Sequence, residues 1–289
     1  MSPQPTSRNN QNRHQAAEAA KQAQRRTRMI ITAMVGVVIV AAIVVAALVG
    51  GGKDEKSPAT IDLGDAAANA ATIAATPAAT YDAVGAGSVL QHPTPYAGTP
   101  ITKDGKPELL YIGAEYCPFC AAQRWAMVAA LSRFGSFSNL KMSTSSAEDS
   151  FPNTPTFSFY GSSYTSEYLA FTAVETNTNK RQGNGYEPLE QPTDAQIAVA
   201  AETGQGGIPF LAFGGKFYLS GASLDPSLFS KRTATDIARS LTDTESDLTK
   251  AVLGAANSLT AAICVMTNNQ PAAVCESPGV LAAKAAAGF

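Results

Sequence analysis

The sequence LLYIGAEYCPFC, residues 109–120, joins an apolar run to a helix-like segment and is the most informative stretch for the fold. Leu109–Ala114 has the length and apolar character of a buried strand, and Ala121–Phe134 is rich in helix formers. Cys117 and Cys120 fall where the helix begins, and free N–H groups and the helix dipole favour a thiolate there. We therefore expect Cys117 to be the attacking thiol and Cys120, one turn further on, to be the resolving thiol.

A Cys-x-x-Cys pair also occurs in zinc sites and in permanent disulfides. A zinc site needs four ligands, of which the pair supplies half. The remaining cysteines, Cys264 and Cys275, have ten residues between them, and the histidines of the chain are His14 and His92, so we predict no metal. A permanent structural disulfide remains an alternative, but so tight a loop at a helix start is strained and easily reduced.

A second motif, GIPFLAFGGKFYLSGA, occupies residues 207–222. Two apolar runs flank Gly214-Gly215, which predicts a β-hairpin. A proline at the head of an apolar strand is unusual, because it cannot donate to the strand ladder. Taken alone, the local sequence predicts a trans bond before Pro209, since about 5–6% of X–Pro bonds are cis.

Together these motifs resemble the thioredoxin superfamily, over roughly residues 106–221. GAEYCPFC (113–120) resembles its active-site strand–turn–helix, and GIP (207–209) resembles the cis-proline loop that faces the two cysteines. The resemblance implies an α/β, thioredoxin-like fold in which the bond before Pro209 is cis. It also implies that the backbone of Ile208 pairs with an extended substrate segment, as in β-strand addition.

A closer resemblance is to a membrane-anchored prokaryotic thioredoxin-like family, number 929 among the domains of unknown function. The shared motifs are YIGAEYCPFC (111–120) and PNTPTFSF (152–159). This family name implies a fold and no established activity.

Residues around the cysteine pair are predicted to support the active site. Pro118 suits the first helical position, where a missing N–H costs nothing, and Phe119 is expected to tune the thiolate by desolvation. Thioredoxins place a buried acid six residues before the first cysteine, and this chain has Tyr111 there. Glu115, which with Tyr116 completes the supporting set, is the nearby candidate for that acid, although a solvated rim position is the simpler interpretation.

The distance in sequence from Cys120 to Pro209 is about twice that of a minimal thioredoxin, so the resemblance implies an insert over about 146–205. By analogy with disulfide-forming oxidases, which carry inserts here, an oxidase or isomerase is favoured over a reductase. The aromatic side chains of the insert either form a small core or provide an apolar surface for unfolded clients. Arg124, one turn beyond Cys120, either favours the thiolate or is a solvated residue of the helix face, and we expect the solvated position.

Periodicity predicts further elements between the two motifs and after them. We expect the next parallel strand at Asn139–Ser145, a hairpin of Thr156–Tyr160 with Tyr168–Val174, a polar loop at Asn177–Gly185, a helix capped by Thr193, and C-terminal helices over about 226–289.

The N-terminal region predicts membrane attachment. Residues 1–28 carry six basic residues against one acid, and 29–52 contain no charged residue. About 20 apolar residues span a bilayer as a helix, so we predict a transmembrane signal-anchor over 29–52. The basic tail (1–28) stays cytoplasmic by the positive-inside rule, which makes this a single-pass cell-membrane protein with an extracytoplasmic C-terminal domain. A cleaved signal peptide is the alternative, but its apolar stretch is typically about 7–15 residues.

The remaining chain divides into a predicted flexible tether rich in Ala and Thr (53–77) and one extracytoplasmic domain (78–289). The charge of residues 1–28 is +5, so the net charge of −2 leaves −7 on the rest, which argues against nucleic acid as a partner. Cys264 and Cys275 lie in a compartment where disulfides persist, and we interpret them as a structural disulfide. A second, electron-relaying redox pair is the alternative.

These observations predict a membrane-anchored thiol–disulfide oxidoreductase that oxidises, reduces or isomerises disulfides in exported client proteins. Its dithiol is the redox group, so no separate cofactor is predicted, and a membrane redox partner must reset it. The alternative is a non-catalytic thioredoxin-like adaptor that binds envelope proteins, with the Cys117–Cys120 pair a fixed disulfide. A supplier of reducing equivalents to metal-centre or cytochrome assembly has the same sequence features.

Overall fold

The computed structural model describes residues 62–289. The predicted cytoplasmic tail, the transmembrane anchor and the tether as far as residue 61 lie outside the described residues. The strands are β1 (Thr94–Pro95), β2 (Thr102–Lys103), β3 (Lys106–Gly113), β4 (Gly135–Ser138), β5 (Lys141–Thr144), β6 (Pro155–Ser158), β7 (Ser163–Ser166), β8 (Ala170–Glu175), β9 (Asn177–Gln182), β10 (Gly185–Pro188), β11 (Phe210–Phe213) and β12 (Phe217–Ser220). The helices are α1 (Ala66–Ala74), α2 (Ala78–Val84), α3 (Pro118–Leu131), α4 (Asp194–Glu202), α5 (Ala234–Ser240), α6 (Asp247–Met266), α7 (Ala272–Cys275) and α8 (Pro278–Ala287), and a short 3₁₀ helix spans Pro226–Phe229.

Strand β3 is central to a mixed sheet. The strands lie in the order β1–β12–β11–β3–β2, and β8 also pairs with β3. Strand β8 runs parallel to β3, whereas β11 runs antiparallel to it. A parallel neighbour requires a crossover connection, and the chain between β3 and β8 passes through helix α3. The α/β class is therefore confirmed, with a mixed sheet.

Both faces of β3 are buried, which explains its continuous apolar run. Leu109 and Tyr111 belong to the larger hydrophobic cluster, which also contains side chains of α3 and α6. Leu110 and Ile112 belong to a smaller cluster with Val199 of α4. Because successive side chains of a strand point to opposite faces, the sheet lies between two apolar layers.

Helix α3 begins at the cysteine pair and is buried on all of its faces. Cys117 is its N-cap and Pro118 its first residue. Every residue of the helix except Phe119 is buried. Among the buried side chains is Trp125, whose indole N–H donates to the carbonyl of Pro155 at 2.8 Å. The N-terminus of α3 is therefore firmly positioned at the end of β3.

The tether prediction needs correction for its described part. Residues 66–74 form helix α1, which is capped by Asp65 and buries Asn69 and Ile73. Ile73 belongs to the main hydrophobic core. Low hydrophobicity predicts a linker here, but alanine has the highest helix propensity, and Ile73 anchors this helix in the core. The folded domain therefore includes residues before 78.

The strand pairings between α3 and β11 also differ from the prediction. Strand β5, expected to lie parallel to β3, instead pairs antiparallel with β6. The two strands predicted to form a hairpin do not pair with each other. Strand β6 pairs with β5, and β8 pairs with β3. The polar loop at 177–185 is largely the hairpin β9–β10. Since β8 lies within 146–205 and belongs to the central sheet, this range is not one separate insert.

Among residues 62–289, helix α6 is the one long and apolar enough to cross a membrane, with 20 residues and a mean hydropathy of 1.4 over its most apolar stretch. In the fold, 89% of that stretch is buried, and the helix packs against α3 and α8. The core helix of a globular domain has the same properties, so α6 is weak evidence for membrane insertion. The predicted anchor at 29–52 lies outside the described residues.

Candidate active site

Cys117 and Cys120 lie together at the start of α3. The Sγ of Cys117 accepts a hydrogen bond from the backbone N–H of Cys120 at 3.2 Å. Both residues are free thiols, and Cys117 is 6% exposed whereas Cys120 is 0% exposed. They share a small apolar cluster with Ala114, Tyr116 and Ile208. Cys117 is therefore the more accessible of the two residues, which favours its thiol as the first to react.

The pKa values of the two thiols shift in opposite directions. A hydrogen bond from the Cys120 side chain lowers the pKa of Cys117 and outweighs burial, with help from backbone N–H groups and the charge of Arg124. Burial raises the pKa of Cys120 well above its ordinary value, and the hydrogen bond to Cys117 adds to this. Because the thiolate is the nucleophile, these shifts favour Cys117 as the attacking group.

The loop that precedes β11 lies against the cysteines. The Ile208–Pro209 peptide bond is cis, as the resemblance implies and contrary to the trans bond expected from the local sequence. The carbonyl of Pro209 accepts the N–H of Gly221 at 2.8 Å. Ile208 packs against the cysteine cluster, and neither its N–H nor its C=O has a hydrogen-bond partner within the described residues. Ile208, half-buried against the cysteine cluster, therefore has a backbone N–H and C=O that are unpaired within residues 62–289.

A fully buried ion pair adjoins the cysteine cluster. The Nε and Nη2 atoms of Arg124 donate to the two carboxylate oxygens of Glu175 at 2.8 Å and 2.6 Å, and both side chains are 0% exposed. Nη2 also donates to the carbonyl of Ala114 at 2.8 Å. The prediction of a solvated Arg124 is therefore wrong. Arg124 lies four residues after Cys120, on the same face of α3, and that face is buried.

Tyr111 occupies the position six residues before Cys117. Its ring packs edge-to-face on Phe159, with centroids 5.4 Å apart. Its buried hydroxyl has no hydrogen-bond partner within residues 62–289. A Cβ atom at Gly113 would lie 2.1 Å from this hydroxyl, so the ring fits only beside a glycine. Burial raises the pKa of Tyr111 well above its ordinary value, and the hydroxyl therefore remains a proton donor.

Glu115 does not take the place of a buried acid beneath the pair. It is half-buried, and its carboxylate accepts a hydrogen bond from the hydroxyl of Ser158. Its backbone N–H donates to the carbonyl of Asn177 at 2.9 Å. Glu115 is thus held on the side of the site formed by β6 and β9.

Aromatic side chains flank the cysteine pair. Tyr116 stacks on Tyr186 of β10, with centroids 4.0 Å apart. Phe119 is 42% exposed and contacts Phe151 edge-to-face, with centroids 5.9 Å apart. The position between the two cysteines therefore presents an apolar ring to solvent.

A family model described as "Domain of unknown function (DUF929)" matches residues 94–265, which contain the cysteine pair, the Arg124–Glu175 ion pair and Pro209. The chain belongs to the DUF929 family. The predicted membership of family 929 is thereby confirmed. No curated protein and no solved structure gives a significant match to the chain.

The other two cysteines of this DUF929 protein form a disulfide. Cys264, near the end of α6, is bonded to Cys275, at the end of α7. Cys275 lies beyond the segment that the family model matches. Residues 62–289 contain no group of three or more His, Cys, Asp or Glu side chains arranged to hold a metal ion.

In this DUF929 protein, Glu175 is absent from the residues predicted for the site, and Tyr186 is predicted only as one of the aromatic side chains of the insert. For Glu175 a signal existed, because Arg124 is the one charged residue of α3 and Glu175 the one charged residue of β8. A single charge in an apolar element indicates a buried partner. Tyr186 directly follows the predicted polar loop, 177–185, and nothing in the local sequence indicates its stack on Tyr116.

Proposed function

We propose that this DUF929 protein is a membrane-anchored, extracytoplasmic thiol–disulfide oxidoreductase with a thioredoxin-like fold. One observation carries the proposal. Cys117 caps α3 with a lowered pKa, and its sulfur accepts the N–H of a fully buried Cys120. A pair with one reactive and one shielded thiol can close to a disulfide and open again.

The order of elements supports the thioredoxin-like part. Strand β3 leads into the cysteine pair and α3, and the parallel strand β8 follows by a crossover. The hairpin β11–β12 then returns antiparallel to β3, directly after the cis bond at Pro209. Both motifs of the resemblance thus meet at one end of the sheet, where Ile208 packs against the two cysteines.

The chemistry proceeds in two exchange steps in the reducing direction. The Cys117 thiolate attacks a client disulfide, whose S–S bond breaks as a mixed disulfide forms, and the released client sulfur takes up a proton. Cys120 then attacks the sulfur of Cys117, the bond to the client breaks, and the proton of Cys120 passes to the second client sulfur. Two electrons move from the dithiol to the client, and client oxidation is the reverse. A membrane redox partner resets the dithiol.

Client recognition in this proposal uses backbone and apolar contacts. The unpaired N–H and C=O of Ile208 suit an extended client segment, which adds a short strand beside Cys117. The exposed ring of Phe119 suits an apolar side chain next to the client cysteine. The anchor at 29–52 and its basic cytoplasmic tail hold this site in the space outside the membrane.

The test is a glutathione redox titration of the full-length protein in detergent, with alkylation of Cys117 measured by mass spectrometry. Cys117→Ser is the matched control, because it removes the reactive sulfur and leaves Cys120 and the second cysteine pair in place. A midpoint between about −120 and −180 mV indicates a disulfide oxidase or isomerase. A midpoint near about −270 mV indicates a reductase supplied from the membrane. If Cys117 stays unreactive at every potential, the proposed enzyme activity is contradicted, and the non-catalytic adaptor remains as the explanation.

A further inference from the structure

The stability of the core does not explain the buried ion pair of Arg124 and Glu175. Burying two charges is costly, and replacing such a pair with apolar side chains of similar volume is often neutral or stabilising. Neither side chain reaches solvent here. The pair adjoins the cluster that contains both free thiols, through the bond from Arg124 to Ala114. It therefore lies where thiol exchange creates and removes negative charge.

Arg124 also has an unused donor. Its Nε and Nη2 atoms bind Glu175 and Ala114, whereas Nη1 is buried without a partner in the described part of the chain. The hydroxyl of Tyr111 is a second buried group without a partner there, and its ring centroid lies 5.9 Å from the guanidinium. Unsatisfied buried donors are costly, and a transient anion nearby would give both groups a partner.

The anion that these donors suit is the thiolate of Cys120. Arg124 follows Cys120 by four residues, so the two side chains share one face of α3. Burial holds the pKa of Cys120 high, and the charge of Arg124 opposes that shift. Cys120 must nevertheless lose its proton when it resolves a mixed disulfide, since the thiolate is the nucleophile.

We propose that Arg124 is a positioning residue of this thiol chemistry: fixed by Glu175, its buried positive charge stabilises the negative charge that forms on Cys120. The inference rests on the proposed function. In the step concerned, the bond between Cys117 and the client sulfur breaks and the Cys117–Cys120 bond forms. The proton of Cys120 ends on the released client sulfur, so no further oxidant or base is required.

The titratable groups around Arg124 come from each neighbouring element: Cys117 and Cys120 from α3, Tyr111 from β3, Glu175 from β8 and Glu115 from the turn before α3. The carboxylate of Glu190 accepts a hydrogen bond from the backbone N–H of Glu175 at 2.8 Å. The carboxylates oppose a thiolate at Cys120. Arg124 is the positive charge among these groups.

The experiment follows thionitrobenzoate release from Ellman's reagent by the reduced full-length protein in detergent. Attack by Cys117 releases a first equivalent and forms the mixed disulfide, and attack by Cys120 then releases the second. The double variant Arg124→Met/Glu175→Leu removes both charges and keeps the volume. Its second release should be about tenfold slower at neutral pH, the effect of one pKa unit on the thiolate population. The rate of the first release should change by a smaller factor than the rate of the second.

Glu175→Gln is the complementary variant, because it keeps the charge of Arg124 and removes the opposing carboxylate. Its second release should be faster than in the wild type, with the circular dichroism spectrum and the first-release rate unchanged, because unfolding would also expose Cys120 and speed its reaction. Equal second-release rates in wild type and the folded double variant overturn the inference, as does slower release in Glu175→Gln. If the double variant does not fold, the sign of the Glu175→Gln effect decides. Absence of the first release in the wild type contradicts the proposed function itself.

Discussion

The ring of Tyr116 lies flat on the ring of Tyr186, with centroids 4.0 Å apart and an interplanar angle of 2°. The guanidinium of Arg181, from β9, lies 4.6 Å from the Tyr186 centroid and pairs with Glu148 at 2.9 Å. The β9–β10 hairpin is therefore attached to the residue that directly precedes Cys117. Because the Arg181–Glu148 pair is exposed, it adds about 0–1 kcal/mol at most, and the aromatic stack is the main attachment.

Removing this stack should open the approach to the thiol. Tyr186→Ala should increase the rate at which a bulky maleimide modifies Cys117, because the ring that packs on Tyr116 is gone. The cost in folding free energy should be about 0.5–1.5 kcal/mol beyond lost buried area. Tyr160→Ala is the matched control, since this tyrosine is 41% exposed and is not stacked on Tyr116. Equal modification rates in both variants would show that the hairpin does not limit access.

The pKa of Cys117 should depend on its partner thiol. The hydrogen bond from the Cys120 side chain is the largest influence that lowers it, so Cys120→Ala should raise the pKa of Cys117. The pH dependence of iodoacetamide alkylation measures this value, which should move toward that of a free thiol, about 8.5. Tyr160→Ala is the control, because this tyrosine is 41% exposed and lies outside the cysteine cluster. A lower or unchanged midpoint in Cys120→Ala contradicts the assignment.

The Cys264–Cys275 disulfide should contribute to stability and have no effect on the redox properties of the Cys117–Cys120 pair. The disulfide joins residues with a sequence separation of 11. In the chain-entropy model, closing a loop of about this length stabilises the fold by about 3 kcal/mol. Urea unfolding of Cys264→Ala/Cys275→Ala without reductant measures that loss. The reduction potential of the Cys117–Cys120 pair should be the same in this variant. A shifted potential would favour the alternative in which the second pair relays electrons.

Stability should fall at alkaline pH because of Tyr81. Its hydroxyl donates to the carbonyl of Ala129 at 3.3 Å, and burial raises the pKa of Tyr81 to about 12 although the charge of Arg133 opposes this. The unfolded value is about 10, so the folded state retains the proton more strongly. This contribution is complete below pH of about 10 and is lost as the pH rises to about 12, up to about 3 kcal/mol.

Urea unfolding at several pH values between about 9 and 12 measures this loss. Tyr81→Phe should reduce the dependence in part, because it removes one titrating hydroxyl and leaves those of Tyr111 and Tyr164, whose pKa values burial also raises. Tyr160→Phe serves as the exposed control. If Tyr81→Phe keeps the wild-type slope, other groups account for the alkaline loss.

Local chemistry accounts for the parts of this protein that could be predicted. Residues close in sequence determine the N-cap position of Cys117, the helix after it and the hairpin β11–β12. The local sequence therefore predicts all three. Thr193 caps α4 with a capping box completed by Gln196, as the local sequence indicates. The apolar run of β3 likewise follows from burial on both faces.

Signals carried by neighbouring residues were thus enough to predict the family, the α/β class and the position of the cysteine pair at a helix start. Only the three-dimensional structure shows that β8, and not β5, lies beside β3, because strand pairing joins residues that are distant in sequence. It also decided the environment of the thiols. Arg124 and Glu175 are 51 residues apart in sequence, and their charges are buried together because β8 lies alongside β3 and under α3.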